Sequence, residues 1–222
     1  MLSFSAKWLG SDKIIYADNR HQSNPLDDTQ IVKQLYSLLC QADIVVAHNG
    51  IRFDNRRSNS RFLKLDLPPP PDYHEVDTLI EARKRFDLPH NSLDGLAKYL
   101  GLEPKYASPK FPGEELWLQC MAGNMEAWKE MEAYNRQDVR LLEQVYLRLR
   151  PWIRNHPNVA LYAKELNTPT CNRCGSTDLQ RRGVRRTKTQ IYPRYFCKSC
   201  RGWIRGRFNV TPKEHKNNIL IG

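Results

Sequence analysis

Two pairs of cysteines, Cys171-x2-Cys174 and Cys197-x2-Cys200, stand near the C-terminal end of this 222-residue chain with 22 residues between the pairs. Thiolates at that spacing, presented by two β-turn knuckles, suit tetrahedral zinc at about 2.3 Å. A segment this small has little apolar material of its own, and zinc supplies on the order of 10 kcal/mol of folding free energy in such modules. The competing reading, a redox thiol pair, calls for thioredoxin-like βαβ surroundings that this segment lacks.

A second set of residues could do chemistry. His48-Asn49-Gly50-Ile51-Arg52-Phe53-Asp54 follows directly on the compact apolar run Asp43 to Ala47. Asp54 there either caps the helix that follows or ligates a metal. Far along the chain, Tyr134 and Asp138 are four residues apart in a helical pattern and share one face. A phenol and a carboxylate pointing together can orient a water and hold a hard cation; the plainer reading is a tyrosine packed on its i+4 neighbour.

Charge divides the chain. Residues 171–222 carry 13 Lys/Arg against 2 Asp/Glu, while residues 1–170 carry 22 of each, so the net +11 belongs to the tail. A localised basic block attracts phosphate through counterion release. Membrane surfaces attract such blocks too, but here Arg181, Arg182, Arg185, Arg186, Arg194 and Arg205 are interleaved with Tyr192, Tyr195, Phe196, Trp203 and Phe208. That interleaving favours nucleic acid, single strands above all. The alternative is a solvated basic face whose aromatics are the small module's own core.

The elements that must position these groups follow from periodicity. Leu2 to Trp8 alternates, Gly10-Ser11-Asp12 turns, and Lys13 to Ala17 is a second short apolar run, which predicts a hairpin. Helical spacing at Ile31, Leu35, Leu38 and Leu39 leads to a buried strand over 43–47. Helix is predicted over 54–65, an extended connector at the four prolines 68–71, a strand over 74–77 and helix over 78–86. Further helices are expected over 92–100, closed by Gly101 in a left-handed cap, over 114–121, and over 125–150 with a break near Met131. Cys40 and Cys120 lie in apolar helical contexts as buried thiols. The sum is an α/β layered domain followed by a linker, with three prolines over 151–170, and the small β module. The boundaries are 1–153, a linker 154–170, the ribbon 171–210 and a basic flexible tail 211–222.

Taken together these residues resemble the DnaQ-like, or DEDD-type, 3'-5' exonucleases of the ribonuclease H-like fold, in the subgroup with tyrosine in its last motif. Asn49-x3-Phe53-Asp54 is similar to that family's second motif and Tyr134-x3-Asp138 to its third. The Val76-Asp77-Thr78 strand end and the appended zinc ribbon further resemble a phage and bacterial group of predicted exonucleases. The resemblance implies a ribonuclease H-like mixed sheet flanked by helices and a two-metal site for Mg2+ or Mn2+. Asp54 and Asp138 would be ligands, Tyr134 would orient the attacking water, and Asn49 and Phe53 would border the terminal nucleotide of a DNA strand. RNA is the alternative substrate. Asp77 is expected chiefly to stabilise a strand end.

One departure matters. The family's first motif, an Asp-x-Glu on its first strand, is absent from the sequence, and Leu2 to Trp8 resembles the second strand instead. Three explanations stand: a start further upstream, a separate polypeptide that supplies the strand and its acids, or an inactive remnant that still binds nucleic acid. No run of eighteen apolar residues and no signal-peptide pattern is present, so a cytoplasmic location is expected, the host cytoplasm if the chain is phage-encoded.

Overall fold

The computed structural model describes residues 1–106 and 108–220. The last two residues of the expected basic tail lie outside them. The chain divides into two compact units, Met1–Tyr146 and Leu147–Gly222.

The first unit opens with the hairpin, β1 (Ser3–Lys7) antiparallel to β2 (Ile14–Asp18), with Phe4 opposite Ala17. Helix α1 (Thr29–Leu39) buries Ile31 and Val32, and its Tyr36 meets Phe62 of α2 (Asp54–Lys64) edge-on at 5.2 Å. β3 (Ile44–Ala47) runs parallel to β4 (His74–Asp77). Parallel neighbours need a crossover, and α2 with the proline connector provides it. β1–β2 and β3–β4 are separate two-stranded sheets, so β1 and β3 each have one edge without a strand partner among the described residues.

Helices α3 (Thr78–Arg85), α4 (Leu93–Leu100) and α5 (Glu115–Met121) follow. Ser92 accepts from the Gly95 amide to start α4, and Gly101, at φ 65°, ends it in the left-handed conformation that a side chain would disfavour. α6 (Met125–Leu149) is one uninterrupted helix of 25 residues. The break expected near Met131 does not occur, because Met131 is buried against Leu116, Cys120, Ala127 and Trp128 and no Gly or Pro interrupts the helix. Tyr134 and Asp138, both beyond that point, lie four residues apart on one face of the helix. Cys120 is buried as expected, whereas Cys40 is exposed at the end of α1. α1 is fully buried at Ile31 and Val32 and half-buried at Leu35, Leu38 and Leu39, and position 40 follows its last turn.

The second unit contains a three-stranded antiparallel sheet in the order β5 (Leu179–Arg186), β6 (Ile191–Cys197), β7 (Trp203–Arg205), then a short α7 (Lys213–Lys216). Pro193 sits on the central strand without a backbone N–H, and the facing strand accommodates it with a bulge between Arg181 and Val184. No helix among the described residues is long and apolar enough to cross a membrane.

Candidate metal centres

The two cysteine pairs lie on matched knuckles. The Gly175 amide donates to the Cys171 carbonyl and the Arg201 amide to the Cys197 carbonyl, each at 2.9 Å. Gly175 and Arg201 both adopt positive φ, 75° and 61°. Among the described residues these four cysteines are the group of three or more ligand-type side chains whose donor atoms converge, all within 4.8 Å of one another. Sulfurs of Cys171 and Cys200 are 3.7 Å apart and those of Cys174 and Cys197 3.6 Å. A tetrahedron with metal–sulfur bonds of about 2.3 Å has edges of about 3.8 Å, so the cluster fits such an ion, and it is far too open for disulfides. Cys171, Cys197 and Cys200 are buried and form the module's core with Leu179 and Ile204. Burial pushes the thiols of Cys171, Cys174 and Cys200 up; at Cys197 burial acts the same way, but donors from Cys200, Ser199 and neighbouring thiols outweigh it.

In the first unit, parallel pairing sets Ala47 beside Asp77 and so brings the loop after β3 to the Asp77 carboxylate. That carboxylate is buried and accepts four backbone amides: Asn49 and Leu79 at 3.0 Å, Ile51 and Ile80 at 3.3 Å. It therefore caps α3 and pins the loop from which Asp54 emerges. Asn49 takes φ 64°, and at Gly50 a Cβ would meet that of Ala47 at 2.4 Å, so this tight passage admits only glycine. Asp54 is the first residue of α2, and Phe53 holds the cap position without a side-chain cap hydrogen bond. The Asp54 side chain is open to solvent, yet chain packed around its carboxylate raises its pKa, opposed by its own backbone amide and Arg57, with Asp77 adding to the rise. Phe53 is exposed, with the Arg57 guanidinium stacked 3.9 Å above its ring.

Tyr134 and Asp138 are brought together, and a third residue joins them. Lys105 Nζ lies 2.8 Å from Asp138 Oδ2 and donates to the Tyr134 hydroxyl at 3.0 Å. Trp117 packs edge-on against the Tyr134 ring at 5.9 Å. Burial raises the Asp138 pKa and outweighs the opposing pull of Lys105 and Tyr134. Its Oδ1 is buried without a hydrogen-bond partner among the described residues, as is His48 Nε2. Burial also lowers the His48 pKa, Asp77 opposes this, and the charge of Lys105 assists it. The Lys105 ammonium is thus the cation that Asp138 holds in this structure, with one Asp138 oxygen unpartnered beside it. Asp54 stands outside this trio, with Arg57 and Asp77 as its charged neighbours. A cavity of about 470 Å³ opens beside Lys105 along α6, lined also by Glu103, Tyr106, Arg136, Gln137 and Arg140.

The arrangement of hairpin, parallel pair and long C-terminal helix coincides with a family match over residues 3–150, to RNase_H_2 of the RNase H superfamily. The chain belongs to the RNase H superfamily. No curated protein matches it. RNase H superfamily nucleases use divalent metals and act on nucleic acid, and the matched span includes Asp54, Asp77, Lys105, Tyr134 and Asp138. Lys105 escaped sequence reading because it lies in an irregular stretch, Glu103-Pro104-Lys105-Tyr106, whose spacing points to no face.

Proposed function

We propose that this chain is a metal-dependent 3'-5' exonuclease that hydrolyses phosphodiester bonds of single-stranded DNA, with Asp54 and Asp138 as ligands for Mg2+ or Mn2+ and Tyr134 orienting the attacking water. The single observation that supports this reading is the Lys105 ammonium held by Asp138 and Tyr134 beside the unpartnered Asp138 Oδ1. A divalent ion there would polarise a phosphate ester. The chain's own part is to fix the geometry. Asp77 holds the loop that delivers Asp54, Asn49 and Phe53, and unbroken α6 holds Tyr134 and Asp138 in line. Zn2+ in the four-cysteine cluster is structural and supports the basic module that attracts the polynucleotide.

Two carboxylates are few for a two-ion site. The Asp-x-Glu pair is supplied, in this proposal, by a further strand, from an upstream segment or another polypeptide; the two separate two-stranded sheets have edges open to one. Acting alone, the chain should therefore cleave slowly. With a 5'-labelled single strand and Mn2+, the expected result is slow shortening from the 3' end that disappears in Asp138→Asn. Residual cleavage identical in Asp138→Asn would contradict the assignment. Complete absence of cleavage with retained binding would favour the second reading, a non-catalytic nucleic-acid-binding adaptor, for which the surroundings of Asp54, whose charged neighbours are Arg57 and Asp77 and not Asp138, are the favouring observation.

A further inference from the structure

The ribbon sheet has two chemically different faces. Residues opposite one another in an antiparallel pair share a face, and alternate residues along a strand do too. Leu179 faces Cys197 and Tyr195 faces Ile204, which places the metal cluster and its apolar lining on one side. Phe196 faces Trp203, Arg194 faces Arg205, and Arg185 faces Tyr192, which places all six of these on the other side. The aromatics Tyr192, Phe196 and Trp203 are therefore not the module's core.

On that outer face, rings and guanidinium groups alternate. Arg182 stacks on Phe196 at 5.3 Å, Arg194 on Trp203 at 4.7 Å and Arg205 on Tyr192 at 4.2 Å. Phe196 and Trp203 touch, with centroids 5.2 Å apart. Trp203, on the edge strand β7, is 45% exposed. Among the described residues none of Arg182, Arg185, Arg194 and Arg205 has a carboxylate partner, and the acids of this segment lie elsewhere, Asp178 with Lys198 and Glu214 on α7.

We infer that this outer face is a base-stacking platform for an unpaired polynucleotide strand. Along β6 the order is ring, cation, ring at positions 192, 194 and 196, about 6.7 Å apart, roughly twice the 3.4 Å rise of stacked bases in a duplex strand. Only an extended strand can present a base or a phosphate at each such step. On binding, each guanidinium exchanges its ring for a phosphate oxygen while a base takes the ring face; stacking favours no particular sequence. Arg181 and Arg186 point to the other side and contribute only general attraction. The proposal rests on the nucleic-acid reading for its ligand class but not on catalysis.

The test uses the full, zinc-loaded chain without added Mg2+ or Mn2+ and follows fluorescence anisotropy of labelled (dT)12, (rU)12 and a 12-base-pair duplex. Trp203→Leu, Phe196→Leu and Tyr192→Leu keep apolar bulk, and zinc content checks that the fold survives. Each is expected to weaken single-strand binding roughly 5- to 100-fold while changing duplex binding little. Arg181→Ala and Arg186→Ala are expected to weaken both ligands alike, less than 5-fold. The (dT)12 and (rU)12 arms separate the two polynucleotides that the platform could accept. Equal losses on both faces, a preference for duplex, or undiminished single-strand binding by Trp203→Leu would overturn the platform. Failure of Asp138→Asn to affect cleavage would instead overturn the nuclease reading and leave these affinities as they are.

Discussion

Lys105 and Asp138 are 33 residues apart in the chain and meet at 2.8 Å, with neither side chain more than 28% exposed. Replacing Lys105 by Met removes the cation and leaves the half-buried Asp138 with Tyr134 in place of a charged partner. The expected cost is about 1–2 kcal/mol in metal-free buffer. Added Mn2+ should restore most of it. Urea denaturation with and without Mn2+ checks both halves, and a variant as stable as the wild type without metal would contradict the pairing.

Asp77 is expected to matter more to stability than its single charge suggests. Its carboxylate receives four backbone amides on two segments. Asp77→Ala should cost about 2–4 kcal/mol by loss of a cap and of charge-assisted hydrogen bonds. Asp77→Asn should cost about half as much. Denaturant midpoints compared with an unchanged slope decide it.

A charged network ties the hairpin to α6 and should make the first unit sensitive to acid. Arg20 bonds Asp18 through Nε at 2.6 Å and Glu132 through Nη2 at 2.7 Å. At both carboxyls burial acts to raise the pKa, and Arg20 outweighs it, so both lie below their usual values. A carboxyl whose pKa is lowered by folding contributes stability that is complete above its unfolded value, about 4, and is lost as pH falls through the folded value. Thermal midpoints should therefore drop steeply below about pH 4 in the wild type and less steeply in Arg20→Met. Parallel curves for the two proteins would contradict the network's role.

Metal removal should unfold the ribbon and spare the first unit. Burial holds the Cys171, Cys174 and Cys200 thiols above their ordinary pKa, and a metal takes thiolates. Binding then releases protons, so Zn2+ affinity must fall as pH falls. Chelator titrations at two pH values, read by release of Zn2+, check the sign. Affinity independent of pH would show that the thiols are not the ligands.

Much of this was legible in the sequence, and the exceptions have physical causes. Alternation at β1 and β2, the apolar run of β3 and the capping residues Ser92 and Gly101 are local signals, and each element formed where those signals lie. The four-cysteine cluster was legible because a fixed spacing dictates a knuckle. The break in α6 was misplaced because burial of Met131 is a tertiary effect that no window of sequence contains. Lys105 and the four-amide role of Asp77 depend on segments distant in the chain meeting in space. The division of the ribbon's arginines between two faces required the register, which the bulge after Arg181 shifts.

The central claim is that Asp138 ligates a divalent cation in the place that Lys105 fills, beside Tyr134, which orients the attacking water. Titration of Mn2+ into the wild type, Lys105→Met and Asp138→Asn, followed by the electron paramagnetic resonance of free Mn2+, tests it most directly. Binding should tighten at least 5-fold in Lys105→Met, where no internal cation competes for the carboxylate, roughly 1 kcal/mol in free energy, and should vanish in Asp138→Asn. Mn2+ uptake that is the same in all three proteins would contradict the account.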